Sequence, residues 1–470
     1  MNGTTSPFLL GAFAPVDREQ TVHDLPVTGA VPEALEGLFT QIGPNPIRPP
    51  KHTDVQRYQW FAQDGMVSGI RLRGGRAEWF RNRWVRSTRV TRTWKAPRTP
   101  GRRHFPVDTV HTNVIAHSGL LLALVETGCA PVRLTEELET VRYDDLDGAL
   151  PRGSSAHPKL DPRTGELHAV VYSPLRTYAE HTVLGADGAL RRRRRINLGG
   201  RPMLHDIALT DHHVLLFDLP VRFRFAAAAT GGFPYRWDED HQTRLGVLPR
   251  DGDGTIRWFD IPSCFVFHMV TASERDQRIE LRAIRYRRLF DSGMADPLTQ
   301  GGQLWQWTVD LTAGTVTETQ LDDRLQELPR TDPDAHTQGA KVHYAITAGA
   351  DRITSHQPNA LLKHDAARGI TQIRSSPTGC VPTEAVFVAD ADAGPGRAED
   401  RGYLLHLSFD GDRNTSDLVI LDAQDFTGNP VAVVHLPVRV PFGFHSSWIP
   451  DSDLLPRSLY DAATGGGRNS

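Results

Sequence analysis

The sequence predicts an all-β protein. Short apolar segments recur along the whole chain, turn-forming residues bound each of them, and long amphipathic helical patterns are scarce. The segments are Leu120–Glu126, Leu167–Ser173, His213–Pro220, Arg278–Tyr286, Gln303–Leu311, Tyr403–Phe409, Asp417–Asp422 and Val431–Pro437. Each is roughly five to nine residues long and rich in Val, Leu, Ile and aromatics, side chains that fit a pleated, half-buried surface. Asp161-Pro-Arg-Thr-Gly165 and Gly185-Ala-Asp-Gly188 read as hairpin turns, because Gly, Pro and Asp supply the backbone angles a reversal needs. The strand-helix alternation of a parallel α/β sheet is missing, which leaves a propeller or a large barrel built from hairpins. No WD or kelch consensus returns at a fixed period, a pattern that divergent blades need not keep.

The 470 residues are 39% hydrophobic with a formal net charge of −3, the balance of an ordinary globular protein with a large core. No linker interrupts the chain, so residues 1–470 read as one domain, with a Gly-rich tail over 464–470 expected to fray. The 53 Lys and Arg against 56 Asp and Glu give no reason to expect nucleic acid as a partner. Cys129, Cys264 and Cys380 lie too far apart for a disulfide framework or a CxxC zinc site, which fits a reducing cytoplasm. Met1–Gln20 lacks a basic and apolar export signal, and no run of about 20 apolar residues occurs, so any membrane attachment is expected to be peripheral. The run Arg191–Arg195 needs solvent; it reads as a solvated outer strand or as a contact for anionic lipid headgroups.

Four of the 20 histidines sit where a strand begins or ends, in Ala156-His157-Pro158-Lys159, Met203-Leu204-His205-Asp206, Phe267-His268-Met269 and Phe444-His445. Separations of 48, 63 and 177 residues exclude a local zinc-finger or HExxH arrangement, so a shared metal requires different sheets to converge on one point, as at a propeller axis. Spacing alone does not separate such a site from scattered core histidines.

Further strings bear on the choice: Gly43-Pro44-Asn45-Pro46, Asp64-Gly65-Met66, Asn113 in His111-Thr-Asn-Val114, and Thr243-Arg-Leu-Gly-Val-Leu-Pro-Arg250. Later come Glu384-Ala-Val-Phe-Val388, Ser416-Asp-Leu-Val-Ile-Leu-Asp-Ala423 and Arg439-Val-Pro-Phe-Gly-Phe-His445. With the histidine strings, these make the chain resemble the carotenoid cleavage oxygenase family over nearly its whole length. The resemblance implies a seven-bladed β-propeller with a helical and loop cap, and one iron(II) per chain held on the axis by His157, His205, His268 and His445. It also implies three glutamates behind the ligands, mapped by motif onto Glu126, Glu327 and Glu384 and paired as Glu126–His205, Glu327–His268 and Glu384–His445. By sequence alone Glu126 and Glu327 read equally as surface charges at strand ends. Thr112, fourteen residues before Glu126, falls where the family places a methyl that crowds the sixth coordination position; its ordinary reading is strand packing.

The activity implied is cleavage of a conjugated carbon–carbon double bond by dioxygen into two carbonyls, with iron carrying the step that dioxygen cannot take alone on a closed-shell alkene. Departures from the family pattern are Gln63, Thr271, Ala385 and Ser446, none of which removes a ligand. Stilbene-cleaving relatives usually carry a lysine before the first of these glutamates and a tyrosine upstream. Here Val125 takes the lysine position, and Arg102–Asp108 holds no tyrosine, so an apolar polyene or apocarotenoid is the expected substrate and a phenolic stilbene the alternative. Phe223–Trp237, flanked by Arg222 and followed through Arg224, reads as an apolar contact with lipid or as cap packing. A non-catalytic propeller that binds ligands, and a retinoid isomerase or esterase that keeps the iron, are the remaining alternatives.

Overall fold

The computed structural model describes residues 6–48, 50, 58–229, 233–252, 254–291, 300–347, 359–390, 394 and 396–454. The 464–470 tail lies outside them. The strands expected from sequence are present with ends shifted by one or two residues, Arg278–Tyr286 without any shift. They form antiparallel meanders that fall into seven blades.

Blade 1 is Asn113–His117, Leu120–Leu124, Val132–Leu134 and Thr140–Tyr143. Blade 2 is Lys159–Leu160, Leu167–Val171, Tyr178–Leu184 and Leu190–Asn197. Ala208–Leu209, His213–Asp218, Arg244–Pro249 and Arg257–Asp260 make blade 3. A two-stranded ribbon, Val221–Phe223 with Tyr235–Trp237, interrupts blade 3 and carries the short helix Phe225–Ala229. Blades 4 and 5 share one long strand, Thr315–Thr331. Its first half completes Phe265–Arg275, Arg278–Tyr286 and Gly302–Asp310, and its second half opens Val342–Thr347, Ala360–Asp365 and Ile370–Ser375.

In blade 6, Cys380–Pro382 and Val386–Ala389 both pair with Gly402–Asp410, followed by Thr415–Asp422, Ala432–His435 and the N-terminal Val27–Gly29. Blade 7 joins the two ends of the chain: His445–Pro450 lies beside Gly37–Pro44, then Gly65–Arg73, Arg76–Trp84 and Gln20–His23. Pairing Ile42 with His445 closes the ring, which removes the free edges an open sheet would expose.

The core lies between neighbouring blades. One buried cluster runs from Val170 and Leu215 through Phe265 to Trp307, and others join blades 6 and 7 through Leu405 and Phe39 and blades 7 and 1 through Leu38 and Val114. Strands that alternate in sequence alternate in burial, as in Arg278–Tyr286, because successive side chains face opposite sides of the sheet. Helix is sparse: among the described residues it comprises the short turns Pro7–Leu9, Gly11–Phe13, Trp60–Ala62 and Asp451–Asp453 and the helices Thr88–Trp94 and Phe225–Ala229.

The arginine run lies on the outer strand of blade 2. Its members have local partners: Arg191 meets Asp187, Arg192 meets Asp251, and Arg195 stacks over Tyr178 with its guanidinium carbon 3.9 Å from the ring centre. That is the solvated-strand arrangement, with the charges splayed and partly neutralised.

Candidate metal centre

Each blade contributes one of the residues singled out from the sequence at or next to its innermost strand. Thr112 precedes blade 1, His157 and His205 precede the two-residue inner strands of blades 2 and 3, and His268 is within the first strand of blade 4. Glu327 lies on the shared strand, Glu384 between the two inner pieces of blade 6, and His445 begins the closing strand. Glu126 follows the second strand of blade 1.

Three of these residues sit on β-bulges. Around His268 the register slips between Val266 and Met269, around Glu327 between Glu327 and Arg330, and around Glu384 five residues from Pro382 to Val386 oppose four from Ser408 to Leu405. An extra residue bends the strand and re-aims the side chains beside it, here toward the axis. Leu328, next to Glu327, accordingly has φ 51°.

The ligating nitrogens of His157, His205, His268 and His445 all lie within 4.8 Å of one another, a grouping that could hold a metal ion. Behind them, Glu126 Oε1 contacts His205 Nδ1, Glu327 Oε2 lies 2.6 Å from His268 Nδ1, and Glu384 Oε1 lies 3.0 Å from His445 Nδ1. His157 meets no carboxylate among the described residues. The glutamates are themselves held: Tyr172 donates its hydroxyl to Glu126 Oε2 at 2.5 Å, Tyr286 to Glu327 Oε1 at 2.7 Å, and Arg330 Nη2 to Glu384 Oε2 at 3.0 Å, with Arg330 Nε an ion-pair contact 2.9 Å from Oε1. The amides of Leu328 and Ser446 also donate, to Glu327 and Glu384 at 2.6 Å each. Lys159 pairs with Asp206 at 2.8 Å.

The donor set fits a divalent cation. A neutral ring that donates Nδ1–H to a carboxylate presents a lone pair at Nε2, and His205 Nε2 and His268 Nε2 face each other at 3.2 Å, so two such rings set acceptor against acceptor unless a cation or a proton lies between them. His157 Nε2 is buried without a hydrogen-bond partner. A cation at the convergence point satisfies all of these atoms. Charge points the same way: Glu384 and Asp206 are matched by Arg330 and Lys159, whereas among the described residues Glu126 and Glu327 meet only imidazole, phenol and amide donors. Two carboxylates are left over, the charge a dication balances.

Burial pushes His157 well below the ordinary imidazole value, and its three imidazole neighbours push it further. Burial likewise takes His445 down to about 4, against the pull of Glu384. At His268 burial is outweighed by Glu327 and the ring is pushed up. Burial opposes ionisation of Glu384 as well, but Arg330 and His445 outweigh it and hold the carboxyl at about 2.

Thr112 is buried, lines the cavity described below, and has its Oγ1 3.2 Å from His111 Nδ1. His111 Nε2 is 3.0 Å from the carbonyl of Phe61, and burial takes this ring down to about 4. The ring is therefore neutral, its Nε2–H donates to Phe61, and its Nδ1 accepts the threonine proton.

A cavity of about 520 Å³ opens on His205, His268 and His445. Its walls include Phe61, Phe105, Val125, Phe223, Phe233 and Phe444, and its rim includes the exposed Val107 and Leu175. The volume falls in the range of small-molecule sites. Val125 and Phe105 present no charge to it. The segment Phe223–Trp237 supplies Phe223, Ala228, Phe233 and Tyr235 to the lining, and Arg222 and Arg224 turn to Asp238. The departures are absorbed locally: Thr271 Oγ1 donates to the His336 carbonyl and accepts from Ala340 N, and the Ser446 amide serves Glu384. Tyr172, Tyr286 and Arg330 were not legible as partners of the site. Arg330 follows Glu327 by three residues in the chain.

The chain is 38% identical to the carotenoid cleavage oxygenase of Mycobacterium tuberculosis, over 95% of this chain and 98% of that protein. It is 31% identical to the apocarotenoid-15,15'-oxygenase of Synechocystis, over 90% and 92%. The crystal structure of Pseudomonas brassicacearum lignostilbene dioxygenase superposes with a TM-score of 0.84 at 26% identity, covering 95% of this chain and 98% of that one. Residues 13–450 match the family described as retinal pigment epithelial membrane protein, and the chain therefore belongs to that family of carotenoid oxygenases.

Proposed function

We propose that the protein is a non-haem iron(II) dioxygenase that cleaves a conjugated C=C bond of a carotenoid or apocarotenoid into two carbonyl products. The observation that carries this reading is the convergence of four imidazoles, backed by three carboxylates, at the end of an apolar cavity that reaches three of them. Bound iron(II) supplies the electrons that let dioxygen react with a closed-shell alkene. His157, His205, His268 and His445 would hold it. Glu126, Glu327 and Glu384 fix the tautomer of three rings and raise their donor strength. Thr112 has its hydroxyl committed to His111, which favours a methyl turned toward the metal as its contribution. The aromatic walls exclude water and hold a polyene by contact area, with no acid or base needed from the protein.

A phenolic stilbene is the second reading, favoured by the likeness in fold to a lignostilbene dioxygenase. Val125 and Phe105 offer no partner for a phenolate, which supports the polyene. Aerobic incubation with carotenoids, apocarotenals and stilbenes, with labelled dioxygen and product masses, tests both. Two labelled carbonyl fragments from a polyene are expected; cleavage of lignostilbenes alone would overturn the polyene reading, and unlabelled products would point to isomerisation or ester cleavage.

Among the described residues, no helix is long and apolar enough to cross a membrane. Val107, Leu175 and Phe225 are 57%, 59% and 53% exposed, the first two on the cavity rim. This supports the entry of an apolar substrate from a lipid surface through the 223–237 side, with peripheral contact. Flotation with liposomes, lost in a Phe225→Glu variant, is the expected result; flotation equal in the variant and native protein would remove this role from the segment.

A further inference from the structure

The three carboxylates behind the imidazoles are not equivalent. Glu126 and Glu327 face no side-chain cation but imidazole: each meets one tyrosine hydroxyl and one imidazole, and Glu327 also accepts the Leu328 amide. Glu384 is also gripped by a guanidinium: Arg330 Nε lies 2.9 Å from Oε1 and Nη2 3.0 Å from Oε2, and the same Nη2 donates to the Ser446 carbonyl at 2.6 Å. The Ser446 amide returns to Glu384 Oε2 at 2.6 Å. Oε2 thus accepts two hydrogen bonds, from Arg330 Nη2 and the Ser446 amide, while Oε1 has the Arg330 Nε as a close ion-pair contact beside His445.

The strand is built to deliver it. Glu327 and Arg330 are three residues apart, so in a regular strand they would face opposite sides of the sheet. The one-residue bulge between them, three steps from Glu327 to Arg330 opposing two from Ile346 to Tyr344, turns both toward the axis. Leu328 at φ 51° makes the turn, and Pro329 has no amide to lose from the ladder. One strand thus sends an anion to His268 and a cation to the partner of His445.

We propose that Arg330 is a positioning residue that withdraws charge from Glu384, so that His445 is a weaker donor than His205 and His268 and the site with its dication is neutral. The proposal rests on the iron-site reading above. With Arg330 present, the two unmatched carboxylates balance two positive charges on the metal; without it the site carries one negative charge in excess, which favours the ferric over the ferrous state.

The test uses the iron-loaded full chain of native protein, Arg330→Gln and Arg330→Lys, with iron content measured first and the ferric–ferrous midpoint potential then titrated by the ferric EPR signal. Arg330→Gln is expected to shift the equilibrium about tenfold toward ferric, about 59 mV for one electron. Arg330→Lys, which keeps the charge and loses the guanidinium's shared hydrogen bonds to Glu384 and the Ser446 carbonyl, is expected to shift it less than threefold. In a Glu384→Gln background the Arg330→Gln shift is expected to fall below threefold, because the charge it acts through is gone. An unchanged potential in Arg330→Gln overturns the proposal. If that variant does not fold, a shift of tenfold or more in Arg330→Lys overturns it instead. Native protein that takes up no iron overturns the site reading and this proposal together, whereas native iron binding with an indifferent Arg330 overturns this proposal alone.

Discussion

Glu327 Oε2 lies 2.6 Å from His268 Nδ1 while the carboxylate's other oxygen accepts from Tyr286 at 2.7 Å, so one fully buried carboxylate orients a ring and is itself oriented. Glu327→Gln removes the charge and can present an amide donor to the ring nitrogen. Iron affinity is expected to fall about 10- to 100-fold, the usual loss when the partner of a ligating histidine is removed. Competition with a chelator of known affinity measures it, and unaltered affinity would remove Glu327 from the site.

His268→Ala and His157→Ala are each expected to abolish iron binding and oxygen uptake together. The second variant is the sharper case, since His157 meets no carboxylate among the described residues and its buried Nε2 has no other partner. Stoichiometric iron in His157→Ala, by elemental analysis, would take it out of the ligand set.

Removing the metal leaves the unmatched carboxylates of Glu126 and Glu327 and the close contact of His205 Nε2 with His268 Nε2. The iron-free protein is therefore expected to unfold at lower temperature. At a metal concentration of about 100 times the dissociation constant, the bound ion contributes about 2.7 kcal/mol. Calorimetry with and without chelator reads the difference, and coincident transitions would show that the ring does not depend on the ion.

Val125→Lys places an ammonium at the cavity wall beside Glu126. Burying that charge against an apolar polyene is expected to lower kcat/KM for apocarotenals at least about tenfold and to improve any turnover of phenolic stilbenes. Polyene turnover equal to the native enzyme would show that the substrate does not pass Val125.

Away from the site, Asp218 is fully buried and accepts from His241 Nε2 at 2.9 Å and from Arg244. Burial raises its carboxyl, but the His241 and Arg244 contacts outweigh it and hold the group below its usual value. A depressed folded pKa means that the stabilisation is fully present above the unfolded value of about 3.9 and is lost as pH falls through the folded one. Asp218→Asn is expected to cost about 3–5 kcal/mol at pH 7 and to differ less from native in acid. Denaturant unfolding at several pH values, with iron content unchanged, checks both parts; a cost independent of pH below 4 would assign the effect to packing.

The sequence by itself determined the all-β class and most strand positions, because hydrophobic alternation and turn residues act within a few neighbours. Arg278–Tyr286 and His213–Asp218 could be read this way; the two-residue inner strands Lys159–Leu160 and Ala208–Leu209 could not, since two residues carry no period. His157, His205, His268 and His445 stood out by their strings and the family resemblance, and their spacing was silent about where they meet.

Only the tertiary structure decided that. Closure of the ring by His445–Pro450 against Gly37–Pro44, across some 400 residues, brings the inner ends of all blades to one axis. The bulges at His268, Glu327 and Glu384 are register slips between strands, a property of two strands together that neither one encodes alone. The same slip turned Arg330, three residues after Glu327, into the partner of Glu384, and folding around the axis carried Tyr172 and Tyr286 to the other two carboxylates. The pairing of acid with base in this centre comes from convergence in space between residues that have no neighbourhood in sequence.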